Sequence, residues 1–376
     1  MGSICSFIIR VVGFVRHAKI YIHLFSILMI KKISIRILGL LLVLTALNFI
    51  YTNTFFKKDL EDKCNQALEI KQTQDSTDIY YFAESSNFNA RETDSIQNST
   101  SEITNFFYPG LKITTIQTPA VHAFMYKNWL TQINTSKKLP KAIIVTLNAR
   151  SFNADWINSK LETPLQESMV LLRPYPNIIN RFALSLQLFD NKTEQEREKM
   201  MLTNWDTTKL IFPFEFKYKT VRQWDYTTNF ENFYKKADGS KDEAKTILAC
   251  HYIKAYALNI NETNPRTKDF DEIYNWCKQH NVKLYFNLLA ENIQYADSLV
   301  GKELVFLMKQ NRDYLIKRYT KDNCEVIDNF ELVNGIEFTD QNWTTEHYSY
   351  KGRMIIAKNV AQTLKKQFGN YYKQAY

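Results

Sequence analysis

Three short stretches of this 376-residue chain contain the residue types that nucleophilic catalysis by a serine requires. Ser85 follows the apolar run in DIYYFAESSNFN, Asn148 ends the run KAIIVTLN, and His347 stands in the polar stretch FTDQNWTTEHYSYKGR. A serine hydroxyl becomes a nucleophile when an imidazole within hydrogen-bond reach takes its proton. Amide groups then stabilise the oxyanion that forms on the attacked carbonyl, a role for Asn148 and the backbone N–H groups after the first strand. These residues predict acyl transfer through Ser85.

The group that orients His347 has two candidates, Asp340 and Glu346, which lie seven residues and one residue before it. Adjacent side chains usually diverge, so Glu346 would need an unusual loop to reach the imidazole ring. Asp340 is therefore the preferred acid and Glu346 the alternative. A dyad of Ser85 and His347 without an acid also stays open.

Five short apolar runs alternate with helical patterns and predict the elements that position these residues. The predicted strands are DIYYFAES from Asp78, LKITTIQT from Leu111, KAIIVTLN from Lys141, VKLYFNLLA from Val282 and CEVIDNF from Cys324. Helices are predicted in residues 121–133, 245–258, 270–280, 303–319 and 350–367. Such alternation indicates an α/β fold: a three-layer αβα domain with a mainly parallel, five-stranded, doubly wound (flavodoxin-like) sheet.

A long, mostly helical stretch at about residues 156–248 separates the third and fourth predicted strands. We interpret it as an insertion that caps one end of the sheet. Ligands of parallel sheets bind at the carboxyl ends of the strands, where the three catalytic candidates lie. Ser86, Asn87 and Glu291 are predicted at the same edge and are possible substrate contacts.

An apolar run at residues 33–51 carries a single charge, Arg36, and is long enough to cross a bilayer core of about 30 Å. The basic residues on its N-terminal side predict a cytoplasmic N-terminus and an extracytoplasmic domain. An uncleaved single-pass anchor is favoured over a cleaved signal peptide, because no small-residue cleavage site follows the run.

The segments before and after residues 33–51 complete the predicted domain organisation. Residues 1–32 form a short apolar and basic segment, either interfacial or a mis-assigned start with Met29 as the initiator. Residues 52–76 are predicted as a stalk, and residues 77–376 as the αβα domain with its insertion.

Charge, cysteine spacing and histidine spacing limit the classes of partner and cofactor that the chain is expected to bind. The net charge of +9 comes from dispersed lysines and the basic N-terminus, and no nucleic-acid motif stands out, so nucleic acid is not a predicted partner. The five cysteines lack paired spacing and are expected as free thiols. His122, His251 and His280 lie in helical patterns without metal-ligand spacing, so we predict no metal and no other cofactor.

The order of these motifs resembles the SGNH/GDSL hydrolase superfamily. In that family a GDS-type serine follows the first strand, an asparagine follows the third, and a DxxH-type segment precedes the last helix. Here AES (83–85) replaces the Gly and Asp of the serine motif, Thr146 stands where a Gly is typical before Asn148, and Thr344 stands where the acid of DxxH would be. The family's glycine after the second strand is also missing, since that position reads TPAVHA.

The resemblance, together with the anchor, implies a membrane-anchored serine esterase or acyltransferase. Its expected substrate is an ester-linked acyl group of a cell-envelope glycan, as in membrane-anchored members that assist acyl transfer to envelope polymers. Hydrolysis and transfer share the acyl-serine step, so both stay open. The alternative is a catalytically inactive domain that binds a glycan or a membrane-bound O-acyltransferase partner.

Overall fold

The structure of the chain is a computed structural model that describes residues 29–189, 192–344 and 346–369. Residues 1–28, on which the predicted interfacial segment and the alternative start depend, lie outside the described residues.

The strands form one parallel sheet in the order β2-β1-β3-β4-β5. They are β1 (Ile79–Ala83), β2 (Ile113–Gln117), β3 (Ala142–Leu147), β4 (Lys283–Leu288) and β5 (Cys324–Asp328). Each lies within a predicted strand. The order is that of a doubly wound, flavodoxin-like fold, which confirms the predicted fold class.

Helices precede, connect and follow these strands. They are α1 (Met29–Thr54), α2 (Phe56–Lys63), α3 (Asn65–Thr73), α4 (Ser85–Phe88), α5 (Thr100–Phe107), α6 (Ala123–Leu130), α7 (Ala154–Ile157), α8 (Glu162–Leu171), α9 (Asn177–Ser185), α10 (Glu194–Thr207), α11 (Val221–Phe230), α12 (Glu243–Tyr256), α13 (Pro265–Gln279), α14 (Ile293–Leu299), α15 (Lys302–Tyr319) and α16 (Tyr350–Phe368).

Helices cover both faces of the sheet, which explains why its central strands β1, β3 and β4 are mostly apolar. Tyr81 of β1 belongs to a core with residues of α5 and α16, whereas Phe82 belongs to a core with residues of α6, α13 and α15. Every residue of β1 and β3 is buried. The strand ends that carry the site therefore start from a rigid support.

Helices α7 to α11 make up much of the described stretch between β3 and α12, as its mostly helical pattern predicts. Leu165, Val170, Leu184, Val221 and Trp224 from this stretch join the core on the α6 face. The domain boundaries drawn from the sequence stay predictions.

Residues 52–76, predicted as a stalk, instead fold against the domain. Leu60 of α2 and Ala67 and Ile70 of α3 are buried in the same core as α6. The Gln66 amide also donates to the carbonyl of Gln117 at the end of β2. The polar residues that suggested a stalk lie on the outer faces of two amphipathic helices.

Helix α1 is long and apolar enough to span a membrane, and none of its apolar window is buried inside the molecule. A signal sequence has the same length and composition. The helix includes the predicted span of residues 33–51 and extends beyond it at both ends.

Candidate active site

Ser85 is the first residue of α4, and Glu84 alone separates it from the end of β1. Glu84 has an extended backbone, and α4 ends where the Asn89 N–H donates to the Ser85 carbonyl. This tight strand-to-helix turn at the carboxyl end of β1 leaves Ser85 partly exposed. Its hydroxyl oxygen lies 3.0 Å from Nε2 of His347, although 262 residues separate the two along the chain.

His347 is held by a loop that folds back on itself before α16. Phe338 and Tyr348 form an antiparallel bridge, and the Thr339 N–H donates to the His347 carbonyl over 2.9 Å. The Ser349 side chain caps α16 by accepting from the Gly352 N–H, so the loop ends at a defined helix start. This pairing closes the loop and positions the imidazole.

The same loop brings Asp340 to the other ring nitrogen. Oδ2 of Asp340 lies 2.7 Å from Nδ1 of His347. With the proton on Nδ1 donated to this carboxylate, Nε2 is free to accept from Ser85. The histidine side chain is 18% exposed and the aspartate side chain 40% exposed, so the Asp340 end of this pair is the more open to solvent.

Glu346, the alternative acid, points its carboxylate elsewhere. Both of its oxygens accept from the Arg150 guanidinium, at 2.6 and 2.7 Å, and the pair is buried. Its role as the acid behind His347 therefore does not match its contacts. Glu346 and His347 are adjacent in sequence, but their side chains have different partners, Arg150 and Asp340.

Asn148 lies beside this ion pair, and its contacts differ from the expected oxyanion role. Its amide nitrogen donates to Oε1 of Glu84 over 2.7 Å and to Oε2 of Glu346 over 3.1 Å. Its oxygen accepts from the Arg150 N–H. Both amide hydrogens are thus bonded to buried carboxylates.

Glu84, Glu291 and Glu346 form a buried acid cluster behind the serine. Glu291, expected as a substrate contact, instead accepts from the Tyr256 hydroxyl over 2.6 Å. Burial and the charge of Glu346 raise the pKa of Glu84 from 4.5 to about 7 and raise the pKa of Glu291 well above its usual range. One guanidinium, that of Arg150, faces three carboxyl groups.

Ser86 and Asn87, the other expected substrate contacts, are buried in the turn after β1. The Asn87 amide nitrogen donates to the hydroxyl of Ser101 and to Oε1 of Gln117, and its oxygen accepts from the Ser101 N–H. Asn87 therefore connects the serine turn to α5 and β2. These contacts are structural.

Asn89 is a residue of the site that the sequence reading did not identify. Its amide nitrogen lies 3.0 Å from Nε2 of His347, the same atom that faces Ser85. Only its position four residues after the serine, one turn of helix, signals this contact.

Arg353 and Arg91 tie the serine and histidine loops together. The guanidinium of Arg353 is fully buried and donates to the carbonyls of Asn98, Ile96 and Tyr348. Arg91 donates to the Ile336 and Phe338 carbonyls of the histidine loop. Two arginines thus connect residues 91–98 to the loop that carries Asp340 and His347.

A cavity of about 360 Å³ opens beside the histidine. It is lined by Asn89, Ala90, Arg91, Glu92, Thr339, Asp340 and His347. Asn89, Asp340 and His347 therefore face the same open space. Among the described residues, no group of three or more His, Cys, Asp and Glu side chains is arranged to hold a metal ion.

The chain has a distant likeness to solved structures and none to known families or curated sequences. No protein-family model matches the chain, and no curated protein sequence matches it. Among solved structures, it is similar to an acetyl xylan esterase from the rumen bacterium Butyrivibrio proteoclasticus, with a TM-score of 0.30 and 11% sequence identity. The likeness covers 79% of this chain and 65% of the esterase, which is less than two thirds of that protein. A likeness at this level does not bear on the activity of this chain.

Proposed function

We propose that the chain is a serine esterase or O-acyltransferase in which Ser85 is the nucleophile, His347 the general base and Asp340 the orienting acid. The supporting observation is the continuous hydrogen-bond chain from Ser85 through His347 to Asp340, with links of 3.0 and 2.7 Å. Both links lie in the range that proton transfer and orientation of the imidazole require.

In the first step the Ser85 oxygen attacks the carbonyl carbon of an ester. The serine proton passes to Nε2 of His347, and a tetrahedral adduct with an oxyanion forms. Collapse of the adduct breaks the bond to the alcohol, which leaves with the proton from Nε2. The product is an acyl-serine and a free alcohol.

In the second step an acceptor hydroxyl gives its proton to Nε2 and attacks the acyl-serine. Water as the acceptor yields a carboxylic acid, and a sugar hydroxyl yields a new ester. Ser85 recovers its proton when the second adduct collapses. The same residues thus support hydrolysis and transfer.

We assign the side-chain donor for the oxyanion to Asn89 in place of Asn148. The Asn89 amide faces Nε2 while that atom is unprotonated. Once Nε2 takes the serine proton it no longer accepts a hydrogen bond, and the nearest new acceptor is the oxyanion. Backbone N–H groups in the turn after β1 supply further donors, except that of Asn87, which donates to the Glu84 carbonyl.

The proposed setting is the outer face of a membrane. Helix α1 is long and apolar enough to hold the domain at a bilayer. Basic residues precede the apolar run, which favours a cytoplasmic N-terminus and an external domain. An acylated glycan of the cell envelope is the substrate class that this placement and the family resemblance suggest.

A serine-reactive fluorophosphonate probe tests the nucleophile on the full chain in detergent. We expect covalent labelling of the unaltered protein and none of Ser85→Ala. Ser298→Ala is the matched control, since Ser298 is an exposed serine outside the site, and it should label normally. Labelling of Ser85→Ala at the rate of the unaltered protein would remove Ser85 as the nucleophile.

The contacts of Asn148 favour a second candidate, a domain that binds an acylated glycan or an acyltransferase partner without catalysis. In the resembled family this asparagine stabilises the oxyanion, but here its hydrogens are bonded to Glu84 and Glu346. Absence of probe labelling, together with absence of p-nitrophenyl acetate hydrolysis by the folded protein, would favour this candidate over the enzyme.

A further inference from the structure

Helix α9 carries an apolar stripe that faces away from the molecule. Ile179 and Phe182 within the helix and Leu186 at its C-cap are 41, 47 and 67% exposed. At 3.6 residues per turn these positions fall within an arc of about 60°. Tyr175, just before the helix, is also exposed. A soluble surface rarely concentrates large apolar side chains in this way.

The opposite side of α9 fixes its orientation. Leu184 is buried in the core, and the buried Asn180 amide donates to the carbonyls of Leu171 and Arg173 at the end of α8. These contacts hold the inner side of the helix against the domain. The apolar stripe is therefore held outward.

The beginning of α9 is bonded to the end of α1. Oδ1 of Asn48 accepts from the Ile178 N–H over 3.0 Å, which caps α9, and the Asn177 amide donates to the Thr52 hydroxyl. Arg181 pairs with Asp59 of α2 at 3.3 Å. The stripe thus lies next to the point where the apolar helix meets the domain.

We propose that the stripe of α9 (Ile179, Phe182 and Leu186) lies in the interfacial layer of the bilayer that α1 spans. Asn48 and Thr52 stand at the C-terminal end of α1, the level at which a spanning helix leaves the hydrocarbon core. An amphipathic helix at that level buries its apolar side by about 5–10 Å among the lipids. Two elements then contact the lipid, and α9 fixes the tilt of the domain above the membrane.

This inference rests on the membrane anchoring within the proposed function and is independent of the serine chemistry. It assigns a lipid contact to a helix that the sequence places inside the insertion. The lipid contact would also limit how far the edge of the sheet that holds Ser85 moves relative to the membrane, because hydrogen bonds join α9 to α1.

Site-specific fluorescence on the full chain in lipid nanodiscs tests the proposal. A Phe182→Cys variant carries an environment-sensitive NBD label. Cys5→Ser is included in every variant, because Cys5 lies outside the described residues. The other four cysteines are buried. Phe230→Cys is the matched control, because Phe230 of α11 is also an exposed phenylalanine. Leu42→Cys, within α1, reports whether the anchor is in the bilayer.

Lipids with brominated acyl chains quench only labels that reach them. We expect strong quenching at positions 42 and 182 and severalfold less at position 230. Quenching at 42 with equally weak quenching at 182 and 230 would overturn the lipid contact while leaving the anchor intact. A blue-shifted but unquenched label at 182 would show that protein covers the stripe, which also contradicts the proposal. No quenching at 42 would overturn the anchor, and the α9 contact with it.

Discussion

Two neighbouring residues approach the same nitrogen of the His347 imidazole. Nε2 of His347 faces both the Ser85 hydroxyl and the Asn89 amide, each at 3.0 Å. The serine bond starts the reaction, and we expect the asparagine to act after the proton has moved. Kinetic measurements on variants of the two residues should therefore distinguish their roles.

Asn89→Leu tests the oxyanion assignment by removing the amide at similar volume. Because the amide bonds the transition state more strongly than the ground state, we expect kcat for p-nitrophenyl acetate to fall about 10²-fold with little change in KM. Asn128→Leu, at a partly buried asparagine of α6, is the control and should retain activity. A raised KM with unchanged kcat would assign Asn89 to ground-state binding instead.

Asp340→Asn tests the orienting acid. The amide no longer balances the charge of the imidazolium, so we expect kcat to fall about 10²-fold or more, less than for a fully buried acid because water reaches Asp340. Asp322→Asn, at an exposed aspartate in a turn, is the control. Wild-type turnover in Asp340→Asn would indicate a dyad of Ser85 and His347.

At the scale of elements, the site joins the turn after β1 to the loop before α16. Arg353, in the first turn of α16, supplies three carbonyl hydrogen bonds and reaches Asp94 at 3.3 Å. Burial lowers the pKa of its guanidinium, and the charge of Asp94 opposes that effect. The planar guanidinium of Arg353 donates hydrogen bonds in several fixed directions, so it suits this junction better than the ammonium group of a lysine.

Arg353→Lys should therefore weaken the fold. A lysine leaves at least one buried carbonyl without a donor, so we expect the free energy of unfolding to fall by about 2–3 kcal/mol. Chemical denaturation in detergent measures the change. Arg222→Lys, at a half-exposed pair with Asp206, should cost less than about 1 kcal/mol. Equal effects of the two substitutions would contradict the role given to Arg353.

Two element-level differences show what local pattern reading overlooks. Helix α5 is not among the helices predicted from the sequence, although Ser99 and Glu102 form a capping box that marks its start. The charged and polar residues of α2 and α3 favour a stalk over part of the domain. The few apolar positions of these helices are buried, and burial decides whether a helix belongs to a domain.

At the scale of the whole molecule, the buried acid cluster links stability to pH. Burial and the charge of Glu346 raise the pKa of Glu84 to about 7, so the folded chain binds a proton that the unfolded chain releases above about pH 4.5. Arg150, Asn148 and Glu291 surround these groups. The stabilisation is complete below the unfolded pKa and is lost as the pH rises through the folded one.

Glu84→Gln should flatten this dependence. The free energy of unfolding of the unaltered chain is expected to decrease from about pH 5 to about pH 7.5, whereas the glutamine variant keeps the bond from Asn148 without an ionisable group. Denaturation curves across this range measure the slope. Glu198→Gln, at an exposed glutamate, should retain the original slope. An unchanged slope in Glu84→Gln would contradict the raised pKa.

Residue pattern alone predicts the strands, the doubly wound sheet, the apolar N-terminal helix and the loops that hold Ser85 and His347. Periodicity and strand-end position are local properties, so they can be read from the chain. The pattern favours Asp340 as the acid, but the contact of Asp340 with His347, the pairing of Glu346 with Arg150 and the approach of Asn89 to the imidazole are visible only in the folded chain. These partners lie on loops, and their side-chain directions depend on backbone pairing and burial contributed by distant segments.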